Sequence, residues 1–317
     1  MLFIESSQQL TAHMLIRRRL RIALLALAVQ ILLLAAGVYY YVTPHSPYRT
    51  FLSGGVPLAY TDEGAGEPVI LVHGFAVHGD LQWRRASVLQ VLRPHFRVIT
   101  LDLRGHGRSG KPHQAESYGV EMVDDVVRLM DELRLPRAHV VGYSLGGFIT
   151  LKLATRHPGR LLSASVLGAG WEHPQQSRFL QRMEAMAEAL ARGDSIDPPS
   201  DAVDSGRATA GPVHRFFVRF STRYLNDGLA LAGVLRSISG LAVSAEDLGR
   251  LTVPLLSMVG ERDPLAIGVQ NLQQAVPTAQ VVFIPGATHL TAASHRQLRE
   301  TLLRFLQAQR GRFATPL

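Results

Sequence analysis

The sequence predicts an α/β fold with a mostly parallel sheet. Short apolar runs such as Val69–Val72 and Phe96–Leu101 alternate with helical stretches of roughly 10–15 residues. This alternation indicates βαβ units, because parallel strands need a crossover connection, which is usually a helix. The composition agrees, since 317 residues with 47% apolar and 18% charged residues suffice for a large globular domain.

The N-terminal part of the chain is typical of a membrane anchor. Residues 1–21 end in an arginine cluster, and 22–42 form an apolar run that Gln30 and Gly37 interrupt. At about 1.5 Å per residue, a helix of this length crosses an apolar bilayer core about 30 Å thick. Because the arginines precede the run, we expect a cytoplasmic N-terminus and a domain on the outer, periplasmic or extracellular side. A cleaved signal peptide and a buried core helix are the alternatives.

Residues 43–50 contain two prolines and are predicted to form a stalk, and the α/β pattern then occupies 51–170 and 251–310. A Gly-Gly pair at 54–55 lies between the first two strands. The predicted strands are Tyr48–Ser53, Pro57–Thr61, Pro68–Val72, Phe96–Leu101, one around Val140 and Val141, Leu162–Leu167, Pro254–Val259 and Val281–Ile284. The predicted helices are Trp83–Leu92, Val120–Leu133, one after Ser144, Leu265–Ala275 and Ser294–Ala308.

The alternation stops between residues 171 and 250. No buried-strand run occurs there, and apolar residues recur at helical spacing, as at Phe179, Met183 and Met186. We therefore expect a helical cap inserted into the α/β domain. Such stripes usually pack inside a protein, but pockets are also mainly apolar. The predicted pocket residues are Tyr143, Phe179, Met183, Phe217 and Leu290.

The strongest chemical signal is the segment Gly142-Tyr143-Ser144-Leu145-Gly146, a G-x-S-x-G sequence between a predicted strand and a predicted helix. The small residues allow a sharp turn that exposes the serine hydroxyl. The turn also places Ser144 at a helix N-terminus, where free N–H groups favour developing negative charge. This context favours a nucleophile over an ordinary serine in a glycine-rich turn.

A serine nucleophile needs a base, usually a histidine held by a carboxylate. Asp263 and His289 each follow a predicted strand, so both should lie at the carboxyl edge of the sheet with Ser144. The chain order Ser, Asp, His is the one associated with G-x-S-x-G enzymes. Glu172 is the alternative carboxylate, and Glu261 lies nearby. We expect the backbone N–H groups of Phe75 and Leu145 to form the oxyanion hole.

Several function classes are disfavoured by composition. The chain has no cysteine, which excludes disulfides and thiolate catalysis. The net charge of +8 is spread without a basic block in the globular part, so we expect no nucleic-acid partner. Two-histidine metal spacing is absent, and we expect neither a metal nor a cofactor. The oligomeric state is not predicted.

Five segments together resemble the α/β-hydrolase superfamily. They are His73-Gly74-Phe75, Asp102-Leu103-Arg104-Gly105-His106-Gly107-Arg108-Ser109, Gly142-Tyr143-Ser144-Leu145-Gly146-Gly147, Gly260-Glu261-Arg262-Asp263 and Gly286-Ala287-Thr288-His289. The resemblance spans about Tyr48 to Ala308. It implies the α/β-hydrolase fold, with a sheet of about eight strands and a triad of Ser144, Asp263 and His289. Family members with a carboxylate nucleophile have Asp where this chain has Ser144, which argues against haloalkane dehalogenase and epoxide hydrolase activity.

The resemblance and the residues together predict a membrane-anchored serine hydrolase of carboxylic esters. The substrate is expected to be a small-molecule ester, lipid-like in having an apolar acyl or alkyl group. One alternative is a hydrolase of carbon–carbon bonds in vinylogous diketones. The other is a non-catalytic binding protein, because a fold alone does not establish activity.

Overall fold

The computed structural model describes residues 2–171, 177–194 and 226–311. The chain divides into two compact units, Met1–Thr43 and Pro44–Leu317.

The first unit is one helix, α1 (Leu2–Val42). Its segment Arg17–Tyr40 is long and apolar enough to cross a membrane, although an N-terminal signal sequence meets the same criteria. The helix begins well before the predicted span of 22–42. Residues 2–21 contain no glycine or proline that would break it.

The second unit is built on eight strands within its described part. They are β1 (Arg49–Ser53), β2 (Val56–Glu63), β3 (Pro68–Val72), β4 (Arg97–Leu101), β5 (Ala138–Tyr143), β6 (Leu161–Leu167), β7 (Leu255–Gly260) and β8 (Gln280–Ile284). Their order in the sheet is β1-β2-β4-β3-β5-β6-β7-β8. β1 and β2 are antiparallel to their neighbours, and all other pairs are parallel. The predicted α/β fold class is therefore confirmed.

Helices connect the strands and cover the sheet. They are α2 (Val88–Leu92), α3 (Val120–Glu132), α4 (Leu145–Arg156), α5 (Ser177–Ala191), α6 (Gly228–Arg236), α7 (Ala245–Gly249), α8 (Ala266–Ala275), α9 (His289–Ala293) and α10 (Arg296–Ala308). A π-helical turn spans Asp80–Arg84, and 3-10 turns span Ala115–Ser117, Pro158–Arg160 and Ile238–Leu241.

The strand residues alternate between two apolar cores. In β3, Ile70 and Val72 belong to one cluster, whereas Val69 and Leu71 belong to the other. All four are fully buried. A strand buried on both faces explains why the sequence shows a continuous apolar run here rather than alternation with polar residues.

Two predicted elements differ from the structure. The helix predicted over Trp83–Leu92 is interrupted at Ser87, whose φ of 60° is left-handed and cannot continue a right-handed helix. At His289, where no helix is predicted, the structure has α9, of which His289 is the first residue. Thr288 caps that helix, and its side chain and Thr291 form a reciprocal capping box.

The predicted stalk at 43–50 is shorter in the structure and is bound to the domain. The backbone N–H groups of His45 and Ser46 each donate to Asp80 Oδ2 at 3.0 Å, and Ser46 Oγ donates to Asp80 Oδ1 at 2.6 Å. Strand β1 then begins at Arg49. We call residues 44–48 the strap.

Asp80 is the centre of this attachment. Its side chain also accepts a hydrogen bond from Arg108 at 2.9 Å, and the Arg108 guanidinium lies 4.7 Å from the ring centroid of Tyr48. Burial opposes ionisation of Asp80, but the hydrogen bonds from Ser46 and the charge of Arg108 hold its pKa below the usual range. A buried carboxylate with these donors is a stable attachment point for the strap.

The predicted cap at 171–250 is described at α5 and from residue 226 onward. Helices α5 and α6 pack together through a small apolar cluster that includes Leu190 and Leu231. Residues later in the cap, such as Val234 and Leu241, belong to the larger apolar cluster of the α/β domain, which also contains Ile70 and Val72. We call this cluster the main core. In its described part, the second half of the cap is therefore continuous with the domain core.

Candidate active site

Ser144 lies on a strained turn between β5 and α4. Its φ of 54° and ψ of −115° are unusual for a residue with a side chain. A Cβ at position 142 would lie 1.9 Å from the Gly146 carbonyl oxygen, and one at 146 would lie 2.1 Å from that of Val72. Only glycine fits at both positions, so the glycine spacing permits the close turn on which Ser144 lies. Such strain is typical of functional sites.

The structure brings together the three residues predicted as a triad. His289 Nε2 lies 3.0 Å from Ser144 Oγ, and His289 Nδ1 lies 2.7 Å from Asp263 Oδ2. The Asp263 side chain is fully buried, whereas that of His289 is 30% exposed. Because a carboxylate only accepts hydrogen bonds, Nδ1 carries the proton and Nε2 is free to accept one from Ser144.

The main chain and a tyrosine hold His289 and Asp263 in place. The Tyr143 hydroxyl donates to the carbonyl oxygen of His289, and the two rings lie 5.4 Å apart. Burial raises the pKa of Tyr143, so its hydroxyl stays protonated as a donor. The second oxygen of Asp263 accepts the Leu265 N–H at 2.9 Å. The sequence motif revealed Ser144 but gave no sign of this supporting role of Tyr143.

Two other acidic residues, Glu261 and Glu172, lie near Asp263 or were considered in its place. Glu261 Oε2 accepts the Gly286 N–H at 3.0 Å, so it links the loop that carries Asp263 to the loop that precedes α9. Glu172, the alternative carboxylate, lies outside the described residues.

The two predicted oxyanion donors belong to segments next to Ser144. A Cβ at Gly74, which precedes Phe75, would lie 3.4 Å from Ser144 Cβ, so the loop after β3 approaches Ser144 closely. Leu145 is the first residue of α4, where a backbone N–H has no helical acceptor. Within the described part of the chain, neither the Phe75 nor the Leu145 N–H donates to another residue.

The predicted pocket residues differ in exposure. Phe179 and Met183 are half-buried on α5, and the Phe179 ring lies 6.1 Å from that of Phe148. Leu290 is 53% exposed, and Tyr143 is buried. Phe217 lies outside the described residues. The pocket assignment therefore stays a prediction.

Two histidines support the loop that carries Phe75. His73 Nε2 accepts the Leu103 N–H at 2.9 Å, and its Nδ1 donates to the Gly74 carbonyl at 2.7 Å. The His106 ring lies 5.2 Å from His73 and 5.9 Å from Phe75. Both histidines are fully buried, and burial lowers the pKa of each to about 3. They are therefore neutral supports at neutral pH.

We expect these two histidines to make the fold sensitive to acid. Since their pKa is lowered by folding, the stabilisation is present above the unfolded pKa of about 6.5 and is lost as the pH falls towards 3. Each of the two histidines should lower the free energy of unfolding by about 2 kcal/mol at pH 5 relative to pH 8. His106→Asn, which can keep the donor to the Arg104 carbonyl, should flatten the fall of the unfolding free energy in denaturant titrations at these pH values. The exposed His95→Asn is the control, and equal pH slopes for both variants would contradict the assignment.

Within the ranges 2–171, 177–194 and 226–311, no group of three or more His, Asp or Glu residues is placed to hold a metal ion. The arrangement of the described side chains suits attack of an activated hydroxyl on an electrophilic carbon, with N–H donors available for the resulting oxyanion.

The comparisons with known proteins agree with this geometry. Residues 67–295 match the family described as alpha/beta hydrolase fold. A putative carbamate hydrolase RutD from Caulobacter is 43% identical over 264 residues, which cover 77% of this chain and 91% of that protein. A 2-hydroxy-6-oxo-2,4-heptadienoate hydrolase from Pseudomonas putida is 40% identical over 124 residues, covering 38% of this chain and 44% of that protein.

Among solved structures, a thermophilic esterase from Thermogutta terrifontis superposes with a TM-score of 0.66 at 23% identity. The alignment covers 83% of this chain and 99% of the esterase, and at this identity it shows the fold alone. The family match spans most of the chain, from the loop before β3 to the residue before α10. The protein therefore belongs to the α/β-hydrolase fold family.

Proposed function

We propose that the protein is a membrane-anchored serine hydrolase that cleaves carboxylic esters through an acyl-enzyme. The observation that carries the proposal is the unbroken chain of contacts from Ser144 Oγ through His289 to Asp263, at 3.0 and 2.7 Å. Membership of a family whose relatives include hydrolases supports it.

In the first half-reaction, His289 Nε2 takes the Ser144 proton as Oγ attacks the ester carbonyl. Asp263 stabilises the imidazolium that forms. The Phe75 and Leu145 N–H groups bind the oxyanion of the tetrahedral intermediate. His289 then protonates the departing alcohol, which leaves the acyl group on Ser144.

In the second half-reaction, His289 activates a water molecule that attacks the acyl-enzyme. The same N–H groups bind the second oxyanion, and the acid leaves as Ser144 recovers its proton. The 30% exposure of the His289 side chain supports this step, because water must reach Nε2.

We further propose that the substrate carries an apolar acyl or alkyl group. The Phe179 ring lies 6.1 Å from that of Phe148. Met183 and Phe75, which belongs to the loop that supplies one oxyanion donor, pack against the same two apolar clusters. Each buried CH₂ is worth up to about 0.8 kcal/mol. Going from acetyl to octanoyl p-nitrophenyl esters should therefore raise kcat/KM by up to about 10³-fold if the acyl chain is buried.

Two variants test where this preference comes from. Phe179→Ala should lower the ratio of octanoyl to acetyl kcat/KM, while Leu52→Ala, which changes a 73% exposed leucine on β1, should leave the ratio unchanged. A flat or falling profile across acetyl, butanoyl, hexanoyl and octanoyl esters in the wild-type protein would show that the substrate is small and polar.

We propose that α1 anchors the protein with residues 1–21 in the cytoplasm and the hydrolase domain outside. The arginine cluster before the apolar segment supports this orientation. Protease added to intact spheroplasts should digest the domain while a cytoplasmic marker stays intact. Replacing Arg17, Arg18, Arg19 and Arg21 with Glu should reduce the digested fraction. A domain that is digested only after lysis would contradict the orientation.

Carbon–carbon bond hydrolysis is the second candidate. The 40% identity to the heptadienoate hydrolase supports it, although that alignment covers only 38% of this chain. A vinylogous diketone assayed beside the esters separates the two activities. If the diketone has the higher kcat/KM, the ester proposal is replaced by this one.

A further inference from the structure

The π-helical turn Asp80–Arg84 follows the loop that supplies Phe75, and it is held on several sides. Trp83 is 1% exposed within the core, and Asp80 binds the strap. Arg84 forms ion pairs with Glu63 and, at 3.3 Å, with Asp80. π-helical turns are rare and frequently occur at functional sites. A turn this firmly attached can hold one of its side chains in a defined position.

That side chain is Gln82. The backbone N–H of Gln82 donates to the carbonyl oxygen of His78 at 2.9 Å. This hydrogen bond joins the turn to the loop that carries Phe75. The point where a Cβ of Gly74 would stand is 3.5 Å from Gln82 Oε1 and 3.4 Å from Ser144 Cβ. The Gln82 amide and Ser144 therefore both approach Gly74, the residue before the proposed oxyanion donor.

The amide of Gln82 is available for a ligand. The residue is half-buried, and in the described part of the chain its side chain makes no hydrogen bond. By contrast, both Asp80 and Arg84, its neighbours in the turn, are engaged by several partners. A half-buried amide offers one acceptor and two donors, so it can bind an uncharged oxygen without the desolvation cost of burying a charge.

We propose that Gln82 is a specificity-determining contact that hydrogen-bonds a second, uncharged oxygen of the substrate next to the scissile carbonyl. This inference rests on the proposed ester hydrolysis and narrows its substrate class. The preferred esters combine an apolar chain with an ether, hydroxyl or keto oxygen close to the reacting carbon.

Pairs of esters that differ in one atom test this contact. p-Nitrophenyl methoxyacetate and butanoate have equal length, with an oxygen in place of a CH₂ on the acyl side. 2-Methoxyethyl butanoate and butyl butanoate form the second pair, in which an oxygen replaces a CH₂ on the alcohol side. For each pair, the ratio of kcat/KM values is measured in full-length wild-type protein and in Gln82→Met, which keeps length but removes the amide. Dividing the wild-type ratio by the Gln82→Met ratio cancels the difference in intrinsic reactivity between the two esters of a pair.

We expect Gln82→Met to lower the preference for the oxygen-bearing ester about three- to tenfold in one of the pairs, which is the range of one neutral hydrogen bond. The pair that responds shows on which side of the ester the oxygen lies. A change in structure alone would lower all rates together and leave both ratios unaltered. Gln90→Met is the matched control, since Gln90 is exposed and its amide binds the Arg84 carbonyl at 2.9 Å.

Two failures are distinguishable. If the wild-type protein hydrolyses the esters but both ratios are the same in wild-type and Gln82→Met protein, the inference is wrong and the proposed function stands. If the wild-type protein hydrolyses none of the four esters, the proposed function fails and the inference fails with it.

Discussion

Replacing Ser144 with alanine is expected to lower kcat for ester hydrolysis by about 10⁶-fold, as removal of a triad serine does in other hydrolases. In the proposed mechanism the hydroxyl attacks the carbonyl, and the strained turn at φ 54° holds it 3.0 Å from His289 Nε2, the proposed base. His289→Ala should cause a similar loss, because without the imidazole the hydroxyl stays protonated and weakly nucleophilic.

Both variants should remain folded, which circular dichroism and thermal unfolding can check. The matched controls are Ser294→Ala and His95→Ala, which remove the same groups at exposed positions. The controls should retain wild-type rates. Near wild-type turnover in either Ser144→Ala or His289→Ala would refute the assignment of that residue.

Asp263→Asn is expected to lower kcat by about 10⁴-fold, the loss known for the equivalent change in the serine protease triad. Asp263 Oδ2 lies 2.7 Å from His289 Nδ1 and holds the imidazole in the tautomer that can accept the Ser144 proton. Asparagine has nearly the same shape, but its NH₂ group would favour the opposite tautomer. The fold should be preserved, since the asparagine oxygen can still accept the Leu265 N–H.

Two other carboxylates provide the comparison. Glu261→Gln should have little effect on the rate, because Glu261 binds the Gly286 N–H rather than His289. Glu172→Gln should also have little effect if Asp263 is the triad carboxylate. The opposite pattern, a mild Asp263→Asn and a severe Glu172→Gln, would transfer the role to Glu172.

The sheet and the turn at Ser144 were predictable because their signals are local. A run such as Pro68–Val72 is apolar because both faces of the strand are buried, and this is visible without knowing its neighbours. The glycines at 142 and 146 are required by contacts within the turn and with the adjacent strand. The prediction that Asp263 and His289 lie near Ser144 rested on the rule that ligands bind where parallel strands end at a common edge, and the three side chains do lie together.

Other features depend on contacts between distant parts of the chain. Asp80 meets His45 and Ser46, which lie 35 and 34 residues earlier. Nothing in the local pattern distinguishes this aspartate from a helix-capping residue. Gln82 likewise acquires its position from the turn that Asp80 and Trp83 hold, and its proximity to Gly74 appears only in the folded chain.

The predicted helix boundaries were wrong for a related reason. Trp83–Leu92 has helical spacing throughout, but the left-handed Ser87 divides it. At His289, the capping pair Thr288 and Thr291 starts a helix of only five residues, too short for a periodic signal to show. Within the cap, helical spacing alone does not show that Val234 and Leu241 belong to the main core.

Labelling with a fluorophosphonate probe tests most directly whether Ser144 is an activated nucleophile. The full-length protein in detergent should bind one probe per chain, and peptide mass spectrometry should place it on Ser144. Labelling should disappear in Ser144→Ala and become much slower in His289→Ala. An unlabelled wild-type protein, or equal labelling of Ser144→Ala, would contradict a serine hydrolase and favour a binding protein on the same fold.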